Sequence, residues 1–136
     1  MQYRWWIGIA LWSLIWTNGA AQEHIIRSVF FGGGSAYVSP DQAAELARLV
    51  ETLGDLDLYQ ISISSHTDNI GGKEYNQWLS EQRSQAVIRT LGQFGVPPER
   101  VLKRDEGQEN PLYDNQTLRG RMANRRVDIH FQPLLL

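Results

Sequence analysis

The chain of 136 residues contains no cysteine, so no disulfide can hold it together and no N-terminal cysteine is available for acylation. Its stability must come from a core. It also lacks an excess of basic charge: 13 Lys and Arg stand against 15 Asp and Glu, a net charge of −2. That balance argues against a general polyanion binder. Long hydrophobic runs are missing too. The one extended apolar stretch, Trp5 to Trp16, is about 12 residues long, whereas a membrane-spanning helix needs roughly 20. No internal repeat, low-complexity tract or long linker is present. Composition and length leave room for one domain with one core.

What is present begins with a leader. Arg4 precedes the apolar run, and Gly19-Ala20-Ala21 follows it, the pattern of a secretory signal peptide. Cleavage after Ala21 would leave a mature chain of residues 22–136. An uncleaved anchor is the alternative, disfavoured by the short apolar run. Removal of Arg4 leaves 12 basic against 15 acidic residues, so the mature net charge is near −3. Export implies a periplasmic location, possible association with the outer membrane or wall, and no membrane span after cleavage.

The rest divides into short periodic segments. His24 to Phe31 is rich in β-branched and aromatic residues and ends at Gly32-Gly33-Gly34, which predicts a strand. Ser39-Pro40-Asp41-Gln42 has the form of a capping box with proline at the first helical position. The helix it starts carries Ala43, Leu46, Ala47, Val50 and Leu53 on one face and stops at Gly54. Leu58 to Ser64 alternates as a second strand, so Asp68 falls just past its C-terminal end. A long helix after Gly71-Gly72 carries Tyr75, Leu79, Ala86, Val87, Thr90, Leu91 and Phe94 and ends before Pro97-Pro98. Arg100 to Arg104 and Val127 to Phe131 read as two further strands, Gly107 to Pro111 as a turn, and Leu118 to Ala123 as a short helix. The order βαβα followed by two strands predicts an α/β (α+β) sandwich. It has a mixed four-stranded sheet, two main helices on one face, a short extra helix, and a second face that is partly wet. The apolar Leu134-Leu135-Leu136 is expected to pack locally.

Arg83 is the informative irregularity. It lies four residues after Leu79 and four before Val87, which places a guanidinium in the apolar stripe of the long helix. Asn76 shares its face two turns earlier, near the end where Asp68 and the glycine turn arrive. A structural salt bridge between Asp68 and Arg83 is one reading. The other is a split pair, Asp68 receiving a ligand ammonium and Arg83 a ligand carboxylate, with the amides of the helix N-terminus as further donors.

The segment Ser65-His66-Thr67-Asp68-Asn69-Ile70-Gly71, followed by Tyr75-Asn76, Leu79-Ser80 and Arg83, closely resembles the OmpA-like C-terminal domain, also found in MotB-type stator and Pal-type proteins. The likeness continues through Arg100, Gly107, Pro111, Asn115, Gly120-Arg121 and Asn124-Arg125-Arg126-Val127, nearly the whole of the mature chain. It implies non-covalent binding of peptidoglycan without cleavage, with no catalytic residue, cofactor or metal. By that resemblance Asp68 would hold the ammonium of a diaminopimelate in the stem peptide and Arg83 its carboxylate, with Thr67 and Asn76 supporting the site and Arg125 lining it from the entrance of the last strand. Two departures stand out. Ser65 occupies a position that is usually Gly, and Gly32-Gly33-Gly34 replaces a usual Asp or Asn. Only backbone groups of Gly33 or Gly34 could then reach the ligand, which predicts a looser site or one that tolerates a variant stem peptide.

Other function classes fit less well. Arg119, Arg121, Arg125 and Arg126 form a basic cluster, but the chain is acidic and carries no aromatic-interleaved basic stretch for nucleic acid. Arg121 and Arg126 are expected to be solvated or paired with Asp114 and Asp128. His66 and Asp68, with His24 or His130, could be imagined as the metal ligands of a hydrolase, yet no recognisable zinc or nucleophile motif accompanies them. A protein-interaction module in an envelope complex, using another surface of the same fold, is the remaining alternative.

Overall fold

The computed structural model describes residues 23–134. The leader expected at 1–21 and the tail residues Leu135 and Leu136 lie outside that range. Seven principal elements follow in the order β1 (Ile25–Phe30), α1 (Pro40–Leu53), β2 (Tyr59–His66), α2 (Lys73–Gln93), β3 (Val101–Gly107), α3 (Leu118–Asn124) and β4 (Arg126–Pro133). The predicted strands and helices are all present. The main shifts are that β2 and β3 run on to His66 and Gly107, so Gly107 ends a strand rather than opening a turn.

The sheet has the order β1-β4-β2-β3. β4 runs antiparallel to both β1 and β2, and β2 is parallel to β3. β4, last in the chain, is thus central, and its N-terminal end lies beside the C-terminal ends of β1 and β2. Alternation does the rest. Val29, Tyr59, Ile61, Ile63, Val101, Val127, Ile129 and Phe131 turn inward against Leu46 and Val50 of α1 and Val87 and Leu91 of α2. The opposite face carries Gln60, Ser62, Ser64, His130 and Gln132 around a shallow depression of about 380 Å³, the wet face that the alternation predicted.

The local signals operate as their chemistry requires. Ser39 Oγ accepts from the Gln42 backbone N–H at 3.2 Å, and Gln42 Oε1 accepts from the Ser39 N–H at 2.9 Å. Gln42 Nε2 also donates to Phe30 O at 2.7 Å, tying the start of α1 to the end of β1. α2 buries two unlike halves. Ala86, Val87 and Leu91 enter the core, whereas Asn76, Ser80, Arg83 and Ser84 are buried toward its N-terminal half. The polar half stitches α2 to β3: Ser84 Oγ donates to Asp105 Oδ1 at 2.6 Å, Gln77 Nε2 to Asp105 O at 2.9 Å, and the Gly107 N–H to Ser80 Oγ at 3.1 Å. Among the described residues no helix is long and apolar enough to cross a membrane.

Candidate functional site

Three chain segments meet beyond the C-terminal end of β2: the loop from β1 to α1, the turn from Thr67 to Gly72, and the junction of α3 with β4. Between them lies a cleft of about 310 Å³ lined by Asp68, Arg121, Arg125, Tyr75, Ile70 and Leu79, with the backbone of Gly33, Gly34 and Gly71. This is the small end of the range for small-molecule sites, about 300–1,000 Å³.

Asp68 is held from two sides. Its Oδ1 accepts from the Ile70 N–H at 3.0 Å, an Asx-turn that fixes the carboxylate just past the strand. Its Oδ2 lies 3.2 Å from Arg125 Nη1, with the two side chains 10% and 15% exposed. Arg125 is itself positioned by backbone. Its Nε donates to Phe31 O at 3.1 Å, its carbonyl accepts from the Phe31 N–H at 2.9 Å, and its N–H closes the last turn of α3 on Arg121 O at 3.2 Å. Antiparallel pairing of β1 with β4 makes Phe31 and Arg125 neighbours, and so brings a guanidinium to the carboxylate.

Arg83 does something else. The sequence anticipated it as the guanidinium facing Asp68 across an open gap, but it is completely buried and absent from the lining of the cleft. Nor is it ion-paired with Asp68, whose salt-bridge partner is Arg125. Its fork donates to three backbone carbonyls: Nε to Ser35 O at 2.8 Å, Nη1 to His66 O at 3.0 Å, and Nη2 to Gly32 O at 3.1 Å. The guanidinium carbon also lies 5.2 Å from the centroid of the Phe31 ring. Arg83 therefore pins the β1–α1 loop to the end of β2 from beneath the site. Burial pulls its pKa down to about 10, opposed by the field of Asp68 and assisted by that of Arg125, so the group stays charged at neutral pH.

The remaining predicted residues divide likewise into lining and support. Thr67 is buried, donating its hydroxyl to Asp68 O at 2.8 Å and its N–H to Gly107 O at 2.8 Å. Asn76 is buried, with Nδ2 on Gln108 Oε1 at 2.9 Å and Oδ1 without a partner among the described residues. Gly34 lines the cleft with a φ of 64°, and a Cβ there would come within 3.3 Å of Tyr75 Oη. Ser65 is buried, with its hydroxyl unpartnered among the described residues, so a glycine would fit there without an orphaned polar group.

Sequence reasoning missed Tyr75 and Arg121. The helical spacing places Tyr75 in the core stripe of α2, but it is 42% exposed because it sits in the first turn of the helix, over Gly71 rather than over the sheet. Arg121 was expected to be solvated or paired with a carboxylate. It lines the cleft and donates to the carbonyls of Asn115 at 2.9 Å and Gln116 at 3.2 Å. Arg126 does pair with Asp128, at 2.9 Å. As for the imagined metal ligands, His24 Nε2 and His130 Nδ1 face each other at 3.4 Å on the wet face of the sheet, while Asp68 lines the cleft. Among the described residues no three His, Cys, Asp or Glu side chains gather in a metal-binding group.

Known proteins share this arrangement of elements. Residues 30–125 match the OmpA family. The outer-membrane lipoprotein YfiB of Pseudomonas aeruginosa is 36% identical over 101 residues, covering 74% of this chain and 60% of that protein. The chain thus spans about 60% of that relative's length. The crystal structure of the peptidoglycan-associated lipoprotein from Burkholderia pseudomallei superposes with a TM-score of 0.72 at 31% identity, covering 78% of this chain and 90% of that one. The periplasmic domain of Helicobacter pylori MotB shares the fold, with a TM-score of 0.68 at 24% identity over 81% of this chain and 76% of that one. The span of the family match, from the end of β1 to the arginine facing Asp68, takes in every element that builds the cleft, and the chain belongs to the OmpA family.

Proposed function

We propose that this protein binds peptidoglycan without cleaving it, by taking the zwitterionic end of a stem-peptide diaminopimelate into the cleft. The observation that carries the reading is the Asp68–Arg125 pair at 3.2 Å on the wall of a small cleft. An amino-acid head group has one ammonium and one carboxylate. The ammonium satisfies Asp68, whose bond to the Ile70 N–H keeps the carboxylate aimed. The carboxylate is met by Arg125, with Arg121 on the same wall and Arg83 adding positive field from below. The backbone of Gly33 and Gly34 completes the wall, and Thr67, Asn76 and Arg83 act by holding that wall in place. Partial exclusion from water strengthens such charge-assisted contacts. The similarity to the Burkholderia protein, a peptidoglycan-associated lipoprotein, supports the same substrate.

On this reading the leader is cleaved after Ala21 and residues 22–136 act in the periplasm, as a tether or positioning domain at the wall. A single zwitterion offers few contacts, so intrinsic affinity is modest and retention depends on the dense array of stem peptides. Co-sedimentation with purified sacculi tests the reading. Wild-type protein pellets, whereas Asp68→Ala and Arg125→Ala remain in the supernatant with unchanged circular dichroism. If both folded variants pellet like wild type, the cleft is not the binding site.

A further inference from the structure

Trp78 and Tyr75 stand three residues apart on α2 and are 53% and 42% exposed. Their ring centroids are 5.7 Å apart and the planes are inclined at 35°. Ile70, 63% exposed, continues the strip toward the cleft, which Tyr75 and Ile70 also line. Trp78 is the only tryptophan beyond Trp16, and it lies outside the core cluster. A large aromatic left in water forgoes the burial that usually justifies it, and such residues concentrate where a partner is bound.

We propose that Tyr75 and Trp78 form a platform for a sugar ring of the glycan strand that carries the stem peptide held in the cleft. The inference rests on the peptidoglycan reading above and adds a second, carbohydrate-binding subsite to it. Three observations select this occupant. The strip is continuous with the cleft through Tyr75, so a group attached to the cleft's ligand can lie on the platform. It is also narrow: two aromatic side chains supply at most about 300–500 Å², well short of the roughly 800 Å² per partner of a stable protein interface. Finally, its rim is polar, with Glu74 one turn before Trp78 exposed and Gln82 one turn after it half-buried. A pyranose matches that pattern, laying its C–H face on the electron-rich ring face and turning its hydroxyl and acetamido groups to the rim.

The test is calorimetric titration of wild type, Trp78→Ala and Asp68→Ala with three ligands: a diaminopimelate-containing tripeptide, the same tripeptide on its disaccharide, and the disaccharide alone. Wild type should bind the disaccharide-tripeptide about fivefold more tightly than the tripeptide, the equivalent of about 1 kcal/mol for one aromatic contact. Trp78→Ala should erase that difference while binding the bare tripeptide as wild type does. The platform is overturned if the disaccharide adds nothing, or if its gain survives Trp78→Ala. The cleft reading fails separately, if the tripeptide does not bind or binds Asp68→Ala equally well. Binding of neither tripeptide ligand overturns both.

Discussion

Replacing Arg83 by methionine keeps a long, flexible stem but removes the fork that holds Gly32, Ser35 and His66. The half-buried carbonyls of Ser35 and His66 would then lose donors at 2.8 and 3.0 Å, while that of Gly32 would keep the Ser35 N–H at 3.2 Å. Each orphaned buried acceptor costs about 1–3 kcal/mol. Water entering from the cleft offsets part of the loss. So does relief of the desolvation that pulls the guanidinium down to about 10. A net destabilisation of about 3 kcal/mol is expected, a large share of the roughly 5–15 kcal/mol that stabilises a small domain. In urea, with a slope of about 1.5 kcal/mol per M, the unfolding midpoint should fall by roughly 2 M. Asp68→Asn is the control. It keeps an oxygen for the Ile70 N–H and loses only the pair with Arg125, whose guanidinium still donates to Phe31 O and lines the open cleft, so its midpoint should move by less than that of Arg83→Met. Circular dichroism during urea titration gives both values. If Arg83→Met unfolds at the wild-type urea concentration, the guanidinium does not brace the loop. It would then be free for a ligand carboxylate, as the helical spacing had suggested.

Gly34→Asn should restore a polar side chain to the cleft wall, because asparagine tolerates a φ of 64° and the Tyr75 hydroxyl 3.3 Å away has only to shift slightly. Diaminopimelate titrations should show tighter binding to the variant, and equal affinity would refute the idea that the glycine run loosens the site. His66 has a lowered pKa, first through burial and then through Arg126, with Asp128 and Glu106 opposing. The unfolded chain therefore takes up the proton first. The neutral, folded form is favoured above the ordinary value near 6.5, and that stability is lost as pH falls from there through the folded pKa. His66→Gln should flatten the fall in melting temperature between pH 7 and pH 5, and parallel curves for the two proteins would show that another group is responsible.

The sequence by itself was enough for the elements and for one wall of the site. Ser39, Pro40 and Gln42 dictate where α1 begins because a capping box is satisfied within four residues. Alternation from Leu58 dictates β2, and with it the place of Asp68 at a strand's end. Helical spacing also identified Arg83 as a charge that needs partners inside the fold. It could not name them, because they are backbone carbonyls of Gly32, Ser35 and His66, and every residue has a carbonyl. Periodicity relates residues on one element only. Asp68 meets Arg125 because β4, last in sequence, inserts between β1 and β2 and delivers the end of α3 to the end of β2. That contact joins residues 57 apart. The insertion decided which arginine faces the cleft and which lies beneath it; the likeness at Asn124-Arg125-Arg126 marked Arg125 for the site, but periodicity along one element could not set its partner or its depth.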